Sequence, residues 1–257
     1  MSNLKTTRVD LSIDGYVAEI CLVPPEGKPP TLDQTVLSEL EEKVATLEQS
    51  QVRLVYLKSA SERFFCVGAN IAVLKETNAQ TIGPWVKNGH RILNRLEDLP
   101  CPVVALVSGY VMGGGLELAM ACDLIFSDDS AKFAQSEASL GFIPGWGGSR
   151  RLVDRIGVAK AKYYFFTGEM LDSQTALSCG LVDFAGTSED RGEFMDSFTQ
   201  RVLDNNYNAI STFKKIVNRE MLDARVRNAE LEAVNSVSCL EDKDTLNRLN
   251  AFLIKKG

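Results

Sequence analysis

Between Cys101 and Phe126 the chain is apolar for long enough to cross a bilayer, yet the stretch carries Gly109, glycines at 113, 114 and 115, Glu117 and Asp123. Carboxylates at bilayer depth are costly. The segment therefore reads as a buried strand that turns through glycine into a helix. A helix opened this way, as in SGYVMGGGLELA from Ser108 to Ala119, leaves its first backbone N–H groups without intrahelical partners and exposes the positive end of its dipole. Such a turn can hold an anion or a developing oxyanion, and it can equally be a tight packing turn. The glycine spacing matches neither GxxxxGK nor GxGxxG, so a phosphate loop and a dinucleotide fingerprint are both set aside.

The same alternation runs through the first two thirds of the chain. YVAEICLV at 16–23 reads as a strand stopped by Pro24 and Pro25. From 33 to 49, Val36, Leu37, Leu40, Val44 and Leu47 recur at helical spacing behind Asp33, a cap residue. Strands are expected at 52–58, 102–109, 123–127 and 132–135, with helical pattern at 71–75, 85–96 and 114–121. Strand–helix alternation favours an α/β core. After about Ala185 long polar amphipathic patterns take over (193–203, 210–223, 225–240). The division expected is a core over 1–185 with a helical region over 186–257, joined without a low-complexity linker.

At 257 residues with 45% hydrophobic content the chain can bury a core unaided. A net charge of −6 and a pI near 5.0 argue against nucleic acid or an anionic membrane surface as partner. Six scattered cysteines form no CxxC pair, and His90 is the one histidine available to a zinc site. Reduced thiols and the absence of a signal-like start in MSNLKTTRVDLS point to the cytoplasm.

Three further segments could carry chemistry. RFFCVGAN (Arg63–Asn70) follows the 52–58 strand and ends in a small-residue turn at Gly68 and Ala69, whose backbone could supply a second N–H donor; a plain strand-to-helix loop is the alternative. Glu117 lies in the first turn of the glycine-started helix, where acidic residues are electrostatically favoured for structural reasons alone. Glu137 in AQSEASLGF sits among Phe133, Leu140 and Phe142, surroundings that would raise a carboxyl pKa toward neutrality. GFIPGWGGSRRL (141–152) reads as a pocket wall entering another helix; Ser149, Arg150 and Arg151 could touch phosphate but fit a helix start better. Nothing forms a GxSxG elbow or an HExxH site, and His90, in a polar helical pattern, is expected exposed or half-buried.

In this order and spacing the four segments resemble the crotonase superfamily, also called enoyl-CoA hydratase/isomerase, over most of the chain. The resemblance implies a spiral of ββα units with a C-terminal helical region that forms trimers or dimers of trimers. It implies an oxyanion hole from the amides of Val67 and Gly114, and Glu117 and Glu137 as the catalytic pair of a hydratase acting on a 2-enoyl-CoA. Coenzyme A would then meet Cys66, Gly68, Ala69, Asn70, Gly113, Gly145, Lys214, Phe252 and Lys255, with no metal and no cofactor beyond the CoA of the substrate. Pro30, Asn70 and Ser136 stand where the family often has asparagine, aspartate and proline. An enoyl-CoA isomerase, a dienoyl-CoA hydratase of cyclic acyl groups and a non-catalytic scaffold of the same fold are the alternatives.

Overall fold

A computed structural model describes residues 6–254. The chain opens with an antiparallel hairpin, β1 (Arg8–Asp14) and β2 (Val17–Val23), in which Ala18, Ile20 and Leu22 alternate inward. Helix α1 (Gln34–Glu48) follows, with Asp33 Oδ1 accepting the amides of Thr35 and Val36 at 3.0 and 3.1 Å. Its expected apolar stripe, Val36, Leu37, Leu40, Val44 and Leu47, is the buried one. Each such side chain contributes about 1.5–3 kcal/mol by leaving water.

A three-fold repeat then begins. β3 (Leu54–Ser59) and the short β4 (Phe64–Cys66) lead to α2 (Ile71–Lys75) and α3 (Ile82–Glu97). β5 (Val103–Val107) and β6 (Tyr110–Met112) lead to α4 (Gly114–Met120). β7 (Leu124–Asp128) and β8 (Lys132–Ala134) lead to a 3-10 turn at Glu137–Leu140 and to α5 (Gly148–Ile156). The first strand of each pair joins a six-stranded sheet, β1-β2-β3-β5-β7-β10, and the second joins a four-stranded sheet, β4-β6-β8-β9. α6 (Val158–Thr167), β9 (Leu171–Asp172), α7 (Ser173–Cys179) and β10 (Phe184–Gly186) complete the two sheets. The chain thus spirals between two mostly parallel sheets.

The strand expected at 102–109 is β5, and the unexpected β6 follows it into the other sheet. Gly109 makes the corner at φ +61°, and a side chain there would collide with the Arg63 carbonyl. The rest of the chain is helical: α8 (Ser188–Asp204), started by a Thr187–Asp190 capping box, α9 (Tyr207–Glu220), α10 (Leu222–Glu241) and α11 (Lys243–Ile254). α10 packs on α3, and α11 on α2 and the 3-10 turn. Leu74, Ile82, Val86, Phe142, Ala233, Leu240 and Leu249 form the apolar cluster that joins them. The C-terminal helices therefore roof the site that the spiral builds. No helix among the described residues is long and apolar enough to cross a membrane, and the apolar stretch at 101–126 is β5, β6, α4 and β7.

Candidate active site

The glycine run places α4 with its N-terminus on a small apolar cavity of about 70 Å³. Gly113 adopts φ +50°, ψ −123°, a conformation that favours glycine, and its N–H is bonded to Ala134 at 2.9 Å. Gly114 is the first helical residue, so its N–H has no intrahelical acceptor. Facing it is the 66–70 loop. A Cβ on Gly114 would lie 3.5 Å from the Ala69 nitrogen, and one on Gly68 would lie 2.9 Å from the Gly114 nitrogen. The two loops meet backbone to backbone.

The loop supplies a different amide from the one expected. Val67 donates its N–H to the Pro30 carbonyl at 3.0 Å, so it cannot point at a ligand. Asn70 donates to Leu32, and Leu32 to the Gly68 carbonyl, both at 2.8 Å. The Ala69 N–H has no backbone acceptor among the described residues. Ala69 and Gly114, rather than Val67 and Gly114, are the paired free donors at the cavity. Asn70 caps α2 through its side chain, and the buried Cys66 thiol, pushed up to about 12 by burial, is no nucleophile at neutral pH.

Both carboxylates line this cavity. Glu117 is buried, and its Oε1 accepts the amides of Trp146 and Gly148, each at 2.7 Å. Burial, then the negative charges of Glu137 and Glu232, raises its pKa well above the ordinary carboxyl value, against the two amide bonds that lower it. Glu137 opens the 3-10 turn; its Oε1 accepts from Gln135 Nε2 at 2.7 Å, and its Oε2 is buried without a partner among the described residues. Burial pushes Glu137 up to about 7. Glu137 therefore exchanges its proton near neutrality, and its charge helps to hold Glu117 well above the ordinary carboxyl range. One member can take a proton while the other gives one.

Trp146 sets the size of the cavity. Its indole is seated between α3 and α4, where Cβ atoms on Gly89 and Gly114 would come within 2.1 and 2.7 Å of the ring. Trp85 packs against it at 4.6 Å between ring centroids, and Ile82, Val86 and Phe142 complete the wall. Gly145 lines the same wall. An outer groove of about 420 Å³ adjoins the cavity, sharing Val67, Ala69, Ile71, Ser136 and Leu140 with it and adding Asn70 and Phe252.

Other expected contacts are placed elsewhere. Lys214 is buried, with Nζ 2.8 Å from the Cys101 carbonyl and 2.6 Å from Asp123 Oδ2. It ties α9 to the sheet and has no ammonium to offer a phosphate. Lys255 lies outside the described residues. Arg150 and Arg151 pair with Glu97, and Ser149 bonds Glu232, so the 149–151 cluster holds helices together. His90 is buried rather than exposed: its Nε2 lies 2.7 Å from Glu232 Oε2. Glu232, on α10, escaped the sequence reading because nothing local distinguishes it from the exposed acids around it.

Residues 12–257 match the family described as enoyl-CoA hydratase/isomerase. The short-chain-enoyl-CoA hydratase of Clostridium acetobutylicum is 30% identical over 254 residues, covering 98% of this chain and 97% of that protein. The crotonyl-CoA hydratase of Syntrophomonas wolfei is 29% identical over 226 residues, 88% of this chain and 87% of that one. Among solved structures, an enoyl-CoA hydratase from Bacillus anthracis superposes with a TM-score of 0.78 at 29% identity over 96% of both chains. An enoyl-CoA hydratase from Bacillus halodurans reaches 0.88 at 22% identity, covering 95% of this chain and 99% of that one, a likeness of fold.

Proposed function

The chain belongs to the enoyl-CoA hydratase/isomerase family, and from that premise we propose that it adds water across the 2,3 double bond of a short 2-enoyl-CoA thioester. The observation that carries this reading is the meeting, around one small cavity, of the free amides of Ala69 and Gly114 with the carboxylates of Glu117 and Glu137. In this reading the thioester carbonyl accepts both N–H groups. Water held by the carboxylates loses a proton to one of them and bonds to C3 through oxygen. The electron pair moves onto the carbonyl oxygen, where the two amides and the α4 dipole stabilise the enolate. The other carboxyl then protonates C2.

An isomerase needs one base, whereas both carboxylates here line the cavity; that favours hydration. The outer groove beside Asn70 and Phe252 would take the pantetheine arm. A short acyl group is favoured by a cavity with room for only a few water-sized groups. Exposed Phe213, Ile216, Val226, Leu231 and Val234 on α9 and α10 support assembly of the chain into a trimer or a dimer of trimers. Incubation with crotonyl-CoA tests the activity: formation of 3-hydroxybutyryl-CoA supports it, and recovery of unchanged crotonyl-CoA, or of a shifted double bond from a 3-enoyl-CoA alone, refutes it.

A further inference from the structure

The four successive amides from Trp146 to Ser149 divide between two buried carboxylates. Trp146 and Gly148 donate to Glu117 Oε1, whereas Gly147 donates to Glu232 Oε2 at 2.8 Å and Ser149 to Glu232 Oε1 at 3.2 Å. Glu232 comes from α10, 2% exposed, and is held by His90 Nε2 from α3, the Ser149 hydroxyl from α5 and Asn228 from its own helix. The turn is thus gripped from both sides, with the active-site acid on one and an acid of the roof on the other.

We propose that Glu232 is a positioning residue for Glu117: it fixes the 146–149 turn that orients the Glu117 carboxylate, gripping that turn from the side opposite Glu117. This rests on the hydratase reading for its consequence in turnover, though its geometry does not. The ionisable groups around Glu232 are His90 on α3, Glu117 on α4, Glu137 on the 3-10 turn and Arg151 on α5, the last paired with Glu97 and bonded to the Trp146 carbonyl at 2.6 Å. Glu232 raises both Glu117 and Glu137. Removing its charge must lower both.

The test is Glu232→Gln beside Glu232→Asp, with pH profiles of kcat/KM on crotonyl-CoA. Glu232→Gln is expected to move both limbs of the profile toward acid by about 0.5–1 pH unit, to lower kcat about 10- to 100-fold by misplacing Glu117, and to leave KM within about twofold. Glu232→Asp keeps the charge but is too short to hold both amides; kcat falls and the limbs stay. Limbs unmoved in Glu232→Gln, or moved alike in both variants, overturn the proposal. If Glu232→Gln does not fold, Glu232→Asp decides: a wild-type kcat in that variant overturns the proposal. Infrared titration of the Glu117 carboxyl, identified by its loss in Glu117→Gln, reads the same shifts without turnover. A wild type that hydrates nothing therefore sinks the hydratase reading while the infrared shifts still judge Glu232.

Discussion

A Cβ on Gly113 would lie 3.2 Å from Glu137 Oε1. The glycine run and the second carboxylate, 24 positions apart, are therefore in direct contact, and the space glycine leaves is the space the carboxylate uses. Gly113→Ala should cost about 1–3 kcal/mol for the strained φ and displace Glu137. Thermal unfolding and crotonyl-CoA turnover measured together check this: a large loss of kcat at modest loss of stability is expected, and full activity would detach the glycine from the site.

The oxyanion assignment separates two neighbouring amides. Replacing the Ala69 N–H by an ester oxygen, introduced by semisynthesis, should lower kcat about 10²–10³-fold, because that donor is free to meet the thioester. The same replacement at Val67 removes its bond to Pro30 and should cost about 1 kcal/mol of stability with turnover little changed. The reverse pattern would restore Val67 to the role.

Trp146 should fix chain length. Trp146→Ala removes the ring between Gly89 and Gly114, costing about 3–5 kcal/mol but opening the cavity. Rates across 2-enoyl-CoA esters of four to ten carbons, about that range, should fall with length in the wild type and shift toward the longer esters in the variant. Equal rates for all lengths in the wild type would contradict the small-cavity reading.

Burial makes Glu137 a cost at neutral pH. Its folded pKa, raised from 4.5 to about 7, means the folded state binds the proton more tightly than the unfolded state. Stability is then fully present below about pH 4.5 and declines as pH rises toward 7, by up to about 3 kcal/mol. Glu137→Gln should flatten this decline, raising Tm at pH 8 relative to wild type but not at pH 4.5. Equal Tm differences at both pH values would show that the carboxyl is not held neutral by burial.

What was legible in the sequence was whatever depends on neighbours along the chain. The α1 stripe behind Asp33, the glycine turn into α4, and Glu117 and Glu137 in their motifs all carry local signals, and all are where the pattern put them. The short strands β4, β6 and β9 were not, because two or three residues carry no period and become strands only beside one another in the second sheet. The family resemblance put the loop's donor at Val67, and the loop alone does not say which amide is free; Pro30, 37 positions earlier, takes that one. His90 looked like part of a polar helix face and Lys214 like a CoA contact, but their partners, Glu232 and Asp123, lie 142 and 91 positions away. Burial of a charge is decided by such distant partners.

The central claim is that the two carboxylates act on one substrate held by the Ala69 and Gly114 amides. The most direct measurement is hydration of crotonyl-CoA by Glu117→Gln and Glu137→Gln, with CoA-thioester binding measured alongside. Each substitution should lower kcat about 10²–10⁴-fold while binding stays close to wild type. Near wild-type hydration by either variant would contradict the claim.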